Sequence, residues 1–99
     1  MIARRWHGRI PASKADEYLA LMVSVGIADY RSIAGNRGAW CLHRQEGEIV
    51  HVEMLTFWED EAAIRHFAGA DIAKAKYYDF DPDYLIELEP EVLHFQMLG

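Results

Sequence analysis

The stretch Ile49-Val50-His51-Val52-Glu53-Met54-Leu55-Thr56-Phe57-Trp58 decides the architecture. It is rich in β-branched and aromatic residues, carries no helical stripe, and reads as a strand. Ahead of it, Gln45-Glu46-Gly47-Glu48 separates it from a second strand-like run, Ala39 to Arg44, so the two form a hairpin. Behind it, Asp60 stands where an N-cap belongs. Ala63, Ile64 and Phe67 then recur at helical spacing, and Gly69 breaks the run. Trp58 takes the place of the large apolar residue that staples the chain into such a helix. The centre of the chain is therefore strand, strand, helix.

Working outward, Ile2 to Arg9 reads as a strand ended by Pro11. Ser13, with Asp16 three residues on, opens a helix whose apolar positions are Ala15, Tyr18, Leu19, Met22, Val25 and Val23, with Gly26 as its stop. Asp29 to Ile33 adds a short helical turn before the Gly35-Asn36-Arg37-Gly38 bend. Asp71 is placed to cap a continuation of the second helix through Ala75. Tyr77 to Glu91 holds six carboxylates and two prolines and reads as a surface connection, and Val92 to Leu98 closes the chain as a strand. The order βαββαβ is that of a ferredoxin-like α+β domain spanning residues 1–99, an antiparallel sheet with both helices on one face. The other sheet face has no helix left to cover it. A homodimer that packs two sheets together, a dimeric α/β barrel, supplies the cover.

Composition narrows the function. The chain has 99 residues, of which 52% are apolar and 26% charged, ordinary globular usage that excludes collagen and disordered chains. Ten Lys and Arg against sixteen Asp and Glu give a net charge of −6, and no basic run occurs, so nucleic acid is disfavoured as a partner. The single Cys41 excludes an internal disulfide and suits a reducing, cytoplasmic setting. No segment has the apolar length of a membrane span. Twelve aromatic rings are many for one small core, and some are expected at a pocket or an interface.

Five histidines stand apart at positions 7, 43, 51, 66 and 94, and no pair has metal-motif spacing. No metal and no cofactor is expected. His43 and His51 flank the hairpin turn, and loop length decides whether they share a face. Trp6 and His7 point to opposite faces of the first strand, one toward the helices and one toward the dimer side. His66 lies on the flank of the second helix stripe. Trp58 enters that helix and the Tyr77-Tyr78 pair leaves it, near Asp79, Asp81 and Asp83. These residues frame one expected aromatic pocket between helix and sheet, with an imidazole and a phenol as its polar groups.

Ile2-Ala3-Arg4-Arg5-Trp6-His7-Gly8, Thr56-Phe57-Trp58-Glu59-Asp60, Ala63-Ile64-Arg65-His66-Phe67-Ala68-Gly69 and Val92-Leu93-His94-Phe95 resemble the antibiotic biosynthesis monooxygenase superfamily, in order and over nearly the whole chain. The resemblance implies a dimeric barrel of ferredoxin-like protomers with a pocket between helices and sheet. Its active members include cofactor-independent monooxygenases of polycyclic phenols and haem-degrading monooxygenases. The haem branch uses an Asn on the first strand, a helix Trp and a ligand His. Here the last two places fall on Phe67 and Tyr77, and the first strand has no Asn. The phenol-oxidising reading remains, with His7 or His66 as base, Tyr77 or Tyr78 on the oxyanion, and Trp6, Trp58, Phe67 and Tyr78 contacting the substrate. A non-catalytic dimer that binds a small aromatic ligand is the other reading.

Overall fold

A computed structural model describes residues 1–99. Its strands are β1 (Ile2–Pro11), β2 (Asn36–Glu46), β3 (Ile49–Trp58) and β4 (Leu93–Gln96), in one antiparallel sheet ordered β2-β3-β1-β4. Three helical segments, α1 (Ala15–Leu21), a π-helical stretch (Met22–Ile27) and α2 (Ala28–Ser32), follow one another without a break between β1 and β2. A further helix, α3 (Glu61–Ala68), follows β3. This is the ferredoxin-like arrangement. No helix is long and apolar enough to cross a membrane.

Alternation sets the two sheet faces. Val50, Val52, Met54, Thr56 and Trp58 of β3 are buried under the helices, and their partners on β1 are Ile10, Gly8, Trp6, Arg4 and Ile2. The hairpin loop is only Gly47-Glu48, between the paired residues Glu46 and Ile49. Gly47 alone of the two has positive φ (60°), the pattern of a II′ turn. That two-residue loop pairs His43 with Val52 and Arg44 with His51, so His43 and His51 lie on opposite faces.

At α3 the Asp60 carboxylate accepts the Ala63 N–H at 2.9 Å, and Gly69 ends the helix at φ 93°. Ala63, Ile64 and Phe67 are its buried stripe. Trp58 is fully buried; its indole N–H donates to Thr56 Oγ1 at 2.8 Å, while the Thr56 hydroxyl donates to the Arg4 carbonyl.

Three sequence expectations need correction. Gly26 does not stop the first helix: it is buried inside it, and Val23 and Val25 are exposed. Ser13 caps nothing; it sits in the 3-10 turn Ala12–Lys14, and α1 starts without a side-chain cap. Asp71 opens a turn rather than a helix, its carboxylate accepting the Ala73 N–H at 3.1 Å. Residues 69 to 92 instead form a strap across the inner side of the sheet. Main-chain bonds from Ala75 to Pro90 and from Val92 to Ala73 close it on itself, and one from Ile86 to Arg9 pins it to β1.

The reason for the long helix lies in its buried positions, Tyr18, Met22, Gly26 and Tyr30, which recur strictly every four residues. On a 3.6-residue helix each such step overshoots by about 40°, so the stripe would wind off the sheet. The wider π turn absorbs the excess and keeps all four inward. Gly26 packs under Met54, but nothing there requires a glycine. A β-carbon there would meet Met54 Cε at 3.6 Å, an ordinary contact. At Gly8 it would lie 2.6 Å from the Trp6 ring and 2.7 Å from Leu85. Gly8→Ala is therefore expected to cost about 1–3 kcal/mol by overpacking, and Gly26→Ala to be neutral or stabilising by up to about 1 kcal/mol. Urea denaturation of both variants checks this, and the reverse order of stabilities would contradict the packing described.

Candidate functional site

The π stretch and the strap enclose a small cavity against the sheet. Trp6 and Met54 form its floor, Tyr18, Met22, Gly26 and Tyr30 its helical wall, and Lys76, Tyr78 and Asp81 of the strap its cover. Its volume is about 10 Å³, room for about one water. Behind it Tyr30 stacks on Phe67 with centroids 4.3 Å apart, and Trp58 meets both rings.

The polar groups of this site come from the strap and the helix. Asp81 is 1% exposed and accepts from the Tyr18 hydroxyl at 2.7 Å and the Tyr78 N–H at 2.6 Å. Burial pushes its carboxyl above the usual range, against the pull of those two hydrogen bonds. Asp29 of α2 accepts from Lys76 Nζ at 2.8 Å and from the Tyr78 hydroxyl at 2.7 Å. Burial works to raise Asp29 as well, but the two hydrogen bonds and the Lys76 charge outweigh it and hold the carboxyl low. Burial pushes the Tyr30 hydroxyl up to about 12, against the pull of the Arg4 charge. Tyr18 and Tyr78 are raised by burial and by the carboxylates they bond.

The expected convergence of histidines on this cavity does not occur. Trp6 faces inward on β1, so His7 faces outward. There its Nδ1 lies 2.8 Å from Glu89 and its Nε2 3.1 Å from His51 Nδ1, while His51 Nε2 lies 3.2 Å from Glu46. The chain Glu89–His7–His51–Glu46 runs over the open sheet face, on the far side from the cavity. His66 stands on α3 between buried Ile64 and Phe67, which turns it outward; it is exposed beside a shallow groove with Ser32, Gly35 and Asp60. Tyr77 sits edge-on to Trp6, 6.1 Å between centroids, and its hydroxyl donates to the Glu89 carbonyl. Burial pushes that hydroxyl up to about 12. Trp6 and Tyr78 line the cavity, whereas Trp58 and Phe67 back its wall rather than line it.

The sequence placed Tyr18 in a core stripe and Asp81 in a surface connection beside the Tyr77-Tyr78 pair at the pocket, and gave Tyr30, Lys76 and Asp29 no role in the site. The signal for Tyr30 was its place in the four-residue repeat. No comparable signal marks Asp81. No three His, Cys, Asp or Glu side chains lie together as a metal-holding group.

The outward sheet face carries Trp40, Leu42, Leu93 and Phe95, all close to half exposed, around Leu55 and Phe57. All the helices lie on the other side.

No protein-family model and no curated protein matches the chain. Among solved structures it is similar to Rv0793 from Mycobacterium tuberculosis, at 14% identity and a TM-score of 0.60 over 100% of this chain and 97% of that one. It is also similar to an uncharacterized NIPSNAP domain protein from Burkholderia xenovorans, at 20% identity and a TM-score of 0.60 over 100% and 96%. At these identities the likeness establishes one thing, a shared small α+β fold that each chain fills nearly end to end.

Proposed function

We propose that this protein is a homodimeric, cofactor-independent monooxygenase that takes a small phenolic or enolic aromatic into the cavity between the π stretch and the sheet. One observation carries the reading: a buried carboxylate, Asp81, lies in the cover of a cavity walled by four aromatic rings and two methionines, held by two hydrogen bonds from Tyr18 and Tyr78. A binding protein needs only apolar walls, whereas oxygenation of a phenol needs a base that is dry and less acidic than a surface carboxylate. Asp81 takes that role in place of His7 and His66, which face away. Entry of a ligand requires the strap to lift, because the cavity as it stands is water-sized.

The reaction follows from the ligand's own chemistry. Asp81 accepts the phenolic proton. The electron-rich ring then transfers electrons to dioxygen from solution, and a C–O bond forms to give a ring hydroperoxide. Loss of water breaks the O–O bond and leaves a quinone. Phenol plus dioxygen gives quinone plus water, and no further reductant is consumed. The protein's part is to exclude water, orient the ring among Trp6, Tyr30 and Tyr78, and hold the proton.

A second reading, a non-catalytic carrier of the same ligand, draws on the outward placement of both histidines. Oxygen uptake with 1,5-dihydroxynaphthalene separates the two. Asp81→Asn is expected to lower turnover by about 100-fold or more while binding persists, and wild-type turnover should rise with pH as Asp81 loses its proton. Binding without oxygen uptake in the wild type would leave the carrier.

A further inference from the structure

The open sheet face is apolar at one end, around Trp40, Leu93 and Phe95, and charged at the other, around His7 and His51. At the charged end both histidines turn their outer nitrogens to carboxylates. His7 Nδ1 lies 2.8 Å and 3.0 Å from the two Glu89 oxygens, and His51 Nε2 lies 3.2 Å from Glu46. An ionised carboxylate only accepts, so both outer nitrogens carry hydrogen. Hydrogen bonds from His51 and Arg44 hold the Glu46 carboxyl below its usual range, which keeps it an acceptor. The inner nitrogens, His7 Nε2 and His51 Nδ1, then meet at 3.1 Å. The ring centroids are 5.3 Å apart and the planes 30° apart. That spacing is close to the nitrogen separation plus one ring radius on each side, so the two nitrogens meet nearly head-on. Two lone pairs at that distance repel, and two N–H groups collide. A single hydrogen between them fits. It brings the pair to three ring N–H in all, one positive charge shared by two imidazoles.

The neighbours call for that charge. Glu46, Glu53, Glu87 and Glu89 surround the pair, against Arg5, Arg9 and Arg44. Arg5 lies 3.8 Å from Glu53, Arg9 2.9 Å from Glu87 and Arg44 3.3 Å from Glu46. His43, exposed on the edge strand, borders the same shallow recess as His51 and Glu53. Four carboxylates meet three guanidiniums, so this end of the face is one positive charge short, and the shared proton closes the balance. A neutral set of paired charges is covered at far lower cost than a set with one charge left over. We infer that His7 and His51 form a one-proton site that sets the pH window in which a second copy of the chain covers this end of the sheet. The inference rests on the homodimer proposed above and adds its control. A second proton, taken up in acid, puts N–H against N–H, drives the rings apart and leaves the face positive. Loss of the shared proton in alkali sets lone pair against lone pair and leaves the face negative. Dimer affinity therefore falls on both sides, and each change counts twice, once per protomer.

Sedimentation of the wild type from about pH 5 to about pH 9, with nitrogen NMR of the imidazoles at neutral pH, tests this. His7 and His51 together should show three ring N–H. The dimer dissociation constant should pass through a minimum and rise at least about tenfold by the acid limit. His51→Asn, which leaves His7 to titrate alone, should flatten the profile, whereas His43→Asn, outside the pair, should keep it. Two N–H or four at neutral pH would overturn the shared proton. A dimer whose affinity does not change with pH would overturn its role in docking. A full profile that persists in His51→Asn would assign the pH dependence to other groups and overturn the inference. A wild type that is monomeric at every pH would end the dimer reading and the docking role with it, while the N–H count would still decide the one-proton site.

Discussion

Trp58→Ala is expected to leave a chain that is barely folded. The indole is fully buried, touches Tyr30 and Phe67, and gives its N–H to Thr56. Truncating a buried aromatic to alanine costs about 3–5 kcal/mol, and a domain of this size holds only about 5–15 kcal/mol in all. Thr56 would lose its indole donor, and the Tyr30–Phe67 stack would lose its edge support, so collapse around the void is limited. Trp58→Phe keeps most of the volume and should cost about half as much or less. Urea midpoints at constant slope measure both. A loss below about 1.5 kcal/mol for the alanine variant would mean that this cluster is not the centre of the fold.

The second large effect concerns the open sheet face. Under the dimer proposed above, Trp40→Glu combined with Phe95→Glu should convert the assembly into an 11.4 kDa monomer. The wild type should sediment at twice that mass. Trp40 is 50% and Phe95 49% exposed on the protomer, so in a monomeric protein the double change touches no packed core. Its protomer cost would then be within about 0.5 kcal/mol per site. In a dimer, carboxylates forced between two apolar sheets would be desolvated without partners. Wild-type protein that sediments as a monomer at micromolar concentration would end the proposal.

Much of the sheet was legible in the sequence because strand alternation is a short-range signal. Val50, Val52, Met54 and Trp58 alternate with polar or half-buried neighbours, and Gly47 marks the turn. Asp60 with Ala63, Ile64 and Phe67 was legible for a similar reason, since cap and stripe lie within eight residues of each other. The first helix was misjudged at Gly26. A glycine at the end of an apolar stripe normally signals termination, but here the buried stripe runs on through Gly26 to Tyr30, packed against Met54 of a strand twenty-eight positions away. Nothing in the sequence separates Arg4 from its neighbour Arg5, and the register that buries Trp6 two residues later is what turns Arg4 inward. Asp81 is one of six carboxylates in its stretch, and nothing local distinguishes it from Asp79 or Asp83. Its burial follows from the path of the strap, which irregular chain does not encode in any period.

The π turn also amounts to one residue more than a plain helix would need to keep the same faces. Deleting any one residue between Met22 and Ile27 would restore ordinary helical pitch and put Tyr30 eleven steps of about 100° from Tyr18, within about 20° of three full turns. Tyr30 would stay over Phe67 and Asp29 beside Lys76 and Tyr78, so a single missing codon would cost the bulge and spare both the wall of the cavity and the latch of its cover. Near-full-length relatives should therefore vary by one residue in this six-residue window, as well as in length at the Gly47 hairpin and along the strap, without losing the inward face.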